Sequence, residues 1–301
     1  MAVRFDFEKA LGVLRSAVET ERDATAAALA AHGRLGLNTV EALRALQAAA
    51  EPWPPRADGR DTACDLVWIA ARTPRRVYVP VLEASFANYG APARVEALRL
   101  LLRVGDRRAA EVWLSLATRH GAELTALGLD ALLDDPRNLD VIYPAALALL
   151  SHPALVAEVG DSTCALCAEG ELAPERLSGE LERVLAAEEV CRAAMERLRG
   201  GAATGWERQA EYLQERSART ALLDLVGWLP GEKAEAAVRR ALADLDRRVM
   251  AFAVAALLRR NAPVDPGYLA ELEADLELRG WLQSRLAGAR KQADPADPDD
   301  G

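Results

Sequence analysis

Lysine, histidine, cysteine and aromatic side chains are all scarce in this 301-residue chain. Of its 37 cationic residues only Lys9, Lys233 and Lys291 are lysines, and the other 34 are arginines. That bias is what a GC-rich genome produces and is given no functional weight. Aromatics make up 5% of the residues and isoleucine and threonine are few. Strands favour β-branched and aromatic side chains, so a sheet-rich domain is excluded. Four cysteines are too few for a disulfide framework in a chain that can bury a large core without one. Apolar runs such as 143–150 and 254–258 fall far short of the roughly 18 residues that a membrane-spanning helix needs. The N-terminus lacks a cationic stretch followed by an apolar run and a cleavage site, so a cytoplasmic protein with no membrane partner is expected. The acidic excess, 46 residues against 37, argues against a general nucleic-acid binder.

Alanine is abundant, at 62 residues, and the apolar fraction is 51%. Together they predict an ordered, all-helical protein. Between Gly and Pro punctuation, apolar residues recur at spacings of three and four. Phe7, Leu11, Leu14 and Val18 predict a first helix over 6–31, ended at His32-Gly33. Further helices are predicted at 38–50, 92–104, 106–119, 122–133, 139–150 and 177–198. In the C-terminal half they fall at 218–229, 232–243, 247–260 and 267–287. The Pro-rich stretch 51–56 breaks the chain. Gly200 to Gly205 reads as an internal linker, and Thr204 with Glu207 as a capping box for a helix starting at Trp206. The division expected is an N-terminal helical segment 1–56, helical repeats 57–199 and 206–288, and a disordered acidic tail 289–301.

The chain also repeats itself. Residues 93–101 (ARVEALRLL) align with 218–226 (ARTALLDLV), and the match continues through Gly105-Asp106 against Gly231-Glu232. A second echo pairs Leu132, Asp134, Leu139 and Leu147 with Leu242, Asp244, Val249 and Leu257. Self-similar helix pairs are the signature of an α-solenoid, whose units bury their apolar faces against their neighbours.

Residues 232–258 (EKAEAAVRRALADLDRRVMAFAVAALL) resemble a HEAT or HEAT-like repeat, through Ala241-Leu242, the turn Asp244-Leu245-Asp246, then Val249, Ala253 and Ala256-Leu257. Met250 stands where such repeats usually carry Arg, and the usual turn Pro is absent. Residues 131–150 match more weakly. The resemblance implies an irregular α-solenoid of antiparallel helix pairs, a HEAT-like or armadillo-type superhelix. Proteins of that kind are mostly binding scaffolds, so it implies an unidentified protein partner and no enzyme activity.

Candidate chemistry is thin. His32, His120 and His152 stand near predicted helix ends, where they suit the last carbonyls. No His-Glu pair occurs, which removes the resemblance to iron-dependent HEAT-repeat hydroxylases. HExxH, GxSxG, GxGxxG and Walker-type sequences are also absent. Cys164 and Cys167 form one CxxC, the sole candidate for a metal or redox site. It lacks a second ligand pair and a thioredoxin-like βαβ context, and two small hydrophobes facing a helical core are the plainer reading. No cofactor is expected. Trp113, Trp228 and Asp224 invite comparison with HEAT-like DNA glycosylases, but the two tryptophans sit on apolar helical patterns that predict core packing. Residues 61–120 carry nine cations and six anions, whereas 121–200 carry six and fifteen. The basic segment places Arg94, Arg99 and Arg103 on one helix. These, with Arg247, Arg248 and Met250 on another, are the predicted partner-binding residues.

Overall fold

The computed structural model describes residues 5–201, 204–281 and 283. Every helix or turn in it is helical or irregular, with no strand among the described residues, so the all-α class holds. No described helix is long and apolar enough to cross a membrane. The chain divides into two compact units, Met1–Ala145 and Ala146–Gly301.

The first unit contains α1 (Phe7–Val13), α2 (Glu19–Arg34), α3 (Thr39–Ala48), α4 (Thr62–Ala70) and α5 (Val79–Ser85). These are followed by α6 (Ala91–Val104), α7 (Arg107–His120) and the short α8 (Ala131–Asp134). A ninth helix, α9 (Leu139–Ala148), runs across the boundary. Alternate helices pack side by side. α2 lies on α4, α4 on α6 and α6 on α8, while α3 lies on α5 and α5 on α7. The two rows meet where α3 packs on α4 and α6 on α7.

The second unit comprises α10 (Pro153–Ala168), α11 (Leu181–Gly201), α12 (Ala210–Trp228), α13 (Glu232–Ala241), α14 (Arg247–Arg259) and α15 (Pro266–Ala274). Here α10, α12 and α14 form one row, with α11 on α12 and α13 on both α12 and α14. The row is tight because two glycines remove the side chains that would hold it apart. A Cβ on Gly160 of α10 would sit 2.8 Å from the Ala221 Cβ of α12. One on Gly227 of α12 would sit 2.8 Å from the Ala256 Cβ of α14.

The predicted 218–229 helix is the second half of the longer α12, and four other predicted elements differ from the structure, each for a local reason. The first helix is broken at 14–18, where the Ser16 hydroxyl accepts the Val18 N–H at 3.1 Å and so competes with the helical ladder. Arg22 fixes the break by donating to the Ser16 carbonyl at 2.7 Å. The 122–133 stretch is largely a loop that ends in α8. Its Gly128 has φ +72° and lies so close to α6 that a Cβ would stand 2.8 Å from the Arg99 nitrogen. Trp113 binds the same loop through its indole N–H, 3.1 Å from the Leu127 carbonyl. The Thr204–Glu207 capping box does not form: a 3-10 turn, Trp206–Arg208, precedes α12, whose N-cap is Gln209 without a side-chain bond. Finally, the 267–287 helix is interrupted at Asp275. Its carboxylate caps a new helix at 276–281, accepting from the backbone N–H of Glu277 at 3.0 Å and of Leu278 at 3.3 Å. The tail expected at 289–301 lies outside the described residues.

Candidate interaction surface

Carboxylates of the first unit engage much of its basic segment. Arg94 of α6 donates to Glu123 and, at 2.9 Å, to the Ala87 carbonyl. Arg99 grips Asp130 at 2.9 and 3.0 Å and also bonds Glu96. Arg107 reaches Asp140 and Arg108 reaches Glu83, both at 2.8 Å. Arg103 alone of the three predicted α6 residues has no side-chain hydrogen bond or ion pair among the described residues.

On α14 the predicted set separates. Arg247 faces Glu271 at 3.7 Å and Asp275 at 3.5 Å. Arg248 is exposed, and its guanidinium has no such partner among the described residues. Met250 corrects the prediction: it is 4% exposed and belongs to the core, because it falls on the face that carries Val249, Ala253 and Val254 inward. It cannot touch a partner in the folded chain.

The cysteines sit inside. Cys164 and Cys167 are one turn apart on α10 and both are buried. Burial raises the Cys164 thiol well above its ordinary value, with the Asp224 carboxylate adding to the effect. Burial pushes Cys167 and Cys191 each up to about 12. No group of three or more metal-ligating side chains occurs among the described residues. Of the tryptophans, Trp113 is core, whereas Trp228 is half-buried with Arg259 stacked 4.7 Å from its ring centroid. Trp53 fastens the Pro-rich loop, donating to the Ala48 carbonyl at 2.9 Å beneath the Arg15 guanidinium. His152 stands at a helix end as expected, at once the C-cap of the 3-10 turn Leu149–Ser151 and the N-cap of α10.

A groove of about 510 Å³ lies in the second unit, on the row α10, α12 and α14. Leu213, Arg216, Ser217 and Thr220 recur at helical spacing and bring one face of α12 to it. Arg248 and Phe252, one turn apart, bring α14 to it. The helix at 276–281 closes the side with Trp281, whose ring centroid lies 4.5 Å from that of Phe252. Sequence reading named Arg248 but missed Arg216, Phe252 and Trp281. For Arg216 the signal was the i, i+3, i+4 recurrence at 213–220, hidden because the stretch was divided between a helix starting at Trp206 and another at 218–229, where the structure has one helix, α12.

A buried charge network holds this surface from behind. Arg219, 2% exposed, donates to Glu188 at 2.8 Å and to Asp244, which Arg199 also reaches at 2.7 Å. Burial works against ionisation of Asp244. The Asp246 N–H and then the two guanidiniums more than offset it, so its pKa lies below the ordinary carboxylate value. Asp246 caps α14 through the N–H groups of Arg248 and Val249, at 2.9 and 3.4 Å, and accepts the Tyr212 hydroxyl at 2.8 Å. The network therefore fixes the 244–246 turn from which Arg248 projects.

Comparison with protein-family models, with curated proteins and with solved structures finds no match to this chain.

Proposed function

We propose that this chain is a non-enzymatic, HEAT-like scaffold that holds a protein partner on the α10, α12 and α14 row of its second unit. The observation that carries this reading is the Arg216 and Arg248 groove with its Phe252 and Trp281 wall. Arginine and aromatic side chains that rest on a rigid row are the residue types that anchor protein interfaces. The packing of alternate helices, α2 on α4 on α6 and α10 on α12 on α14, supports the HEAT-like part, since stacked repeats bury their faces in that order. A cytoplasmic location belongs to the same proposal.

The nucleic-acid alternative draws no support from the basic segment, because Arg94, Arg99, Arg107 and Arg108 are already held by carboxylates. A metal or redox role for Cys164 and Cys167 would need thiolates, and burial disfavours both.

The test is affinity capture from a lysate of the source organism with wild-type chain and an Arg248→Ala/Trp281→Ala variant. The reading expects one stoichiometric protein retained by the wild type and lost by the variant. A partner bound equally by both forms would place the interface elsewhere. Recovery of no protein with either form would count against the scaffold reading itself.

A further inference from the structure

The groove on α12 and α14 has a charge pattern that narrows what fits it. Arg216 and Arg248 come from the two central helices, and the carboxylates on the rim come from the two flanks, Asp161 on α10 and Glu277 on the 276–281 helix. Arg248 engages no side chain among the described residues. Arg216 stands 3.7 Å from Asp246 Oδ2, beyond hydrogen-bond length, and that oxygen already accepts the Tyr212 hydroxyl. Both guanidiniums therefore retain donors for an external acceptor. Three neighbouring arginines at these helices are engaged: Arg219 by Glu188 and Asp244, Arg259 by Asp224, and Arg260 by the carbonyls of Val226, Leu229 and Gly231. Beside the cations lies an apolar floor of Leu213, 38% exposed, and the half-buried Phe252 and Trp281.

Resting on the scaffold reading above, we infer that the groove receives a peptide segment bearing one carboxylate beside a large apolar side chain. The carboxylate is shared by Arg216 and Arg248, and the apolar group is laid on Phe252 and Trp281. Guanidinium recognises carboxylate through paired N–H donors, and partial desolvation against the aromatic wall strengthens that attraction. Glu277 supplies the selectivity. A run of acidic residues would set further carboxylates against it, so an isolated acidic residue is favoured over a polyacidic stretch.

The probe is a fluorescein-labelled Gly/Ser peptide containing one Phe and one Glu two residues apart, titrated with the full chain and followed by anisotropy. The inference expects saturable binding that weakens at high salt. Replacing the peptide's Glu with Gln, or its Phe with Ala, should each weaken it about tenfold or more, and so should Arg248→Ala in the protein. Arg239→Ala, which removes an arginine paired with Glu235 on α13, should leave it unchanged. Because Arg248 is exposed, its loss leaves the fold intact, which a thermal melt confirms. Absence of saturable binding, equal affinity for the Glu and Gln peptides, tighter binding of an oligoglutamate peptide, or indifference to Arg248→Ala would each overturn the inference. The scaffold reading fails separately, through the capture experiment. A captured partner that depends on the groove, together with no preference for Glu over Gln, would defeat this inference and leave that reading standing.

Discussion

Arg219 is the residue on which the second unit depends most. Its guanidinium is buried between Glu188 and Asp244, so removing it leaves two carboxylates without their cation in a poorly hydrated place. Arg219→Met should destabilise the protein by about 3–5 kcal/mol, measured by urea unfolding. Adding Glu188→Gln should recover part of that loss, because one orphaned charge then disappears. The same network sets a pH dependence. The folded-state pKa of Asp244 is depressed, so its contribution is fully present above the ordinary carboxylate value and is lost as pH falls through the depressed one. Unfolding free energy followed from pH 6 downward, a window of about two to three units, should therefore fall less steeply in Asp244→Asn than in the wild type. The thiols give a second residue-scale test. Cys164, Cys167 and Cys191 are buried with raised thiols, and half-buried Cys64 is pushed up to about 11, first by burial and then by Glu96. A thiol reagent at neutral pH should titrate all four only after denaturation, with Cys64 the first to react in the native protein.

At the scale of elements, close helix approach decides the second unit. Gly160→Ala would drive a methyl group to 2.8 Å from the Ala221 Cβ, with helix backbone behind it, so α10 and α12 must move apart. A loss of about 1–3 kcal/mol in denaturant unfolding is expected. Gly179→Ala meets no atom within 4 Å and should be nearly neutral. How far the elements were legible in the sequence follows from the same physics. Helices α3, α6, α7, α13 and α14 were readable within a residue or two, because capping residues and glycines mark their ends. Asn38, Asp106 and Asp246 accept N–H bonds at the first turn, and Gly105, at φ +66°, ends α6. Position 128 misled because its glycine is required by the approach of Arg99 from another helix, a tertiary fact that periodicity does not carry. Asp275 misled differently. Its carboxylate starts a new helix inside a continuous apolar pattern, and only its backbone partners reveal that. The groove was half-legible: Arg248 stood out as a charge beside a repeat, whereas Arg216 and Trp281 acquire meaning only when α12, α14 and the 276–281 helix lie together.

For the whole molecule, the distribution of engaged charge matters more than the net charge of −9. The cation-rich 61–120 stretch looks like a docking surface in sequence, yet carboxylates from its own unit hold most of its guanidiniums. In the second unit Arg216 and Arg248, both with donors to spare, lie together in a groove of modest volume with an aromatic wall. Interaction energy concentrated in a few anchors on a rigid row suits a scaffold that binds one segment of a partner. The most direct measurement of that claim is site-specific photo-cross-linking in cells of the source organism. The photoreactive residue p-benzoylphenylalanine would replace Leu213 in the groove or, as a control, Val190, which is 63% exposed on α11 outside the row. The account predicts a discrete protein adduct from position 213, abolished by Arg248→Ala, and none from position 190. An adduct from position 190 alone, or none from either, would contradict it.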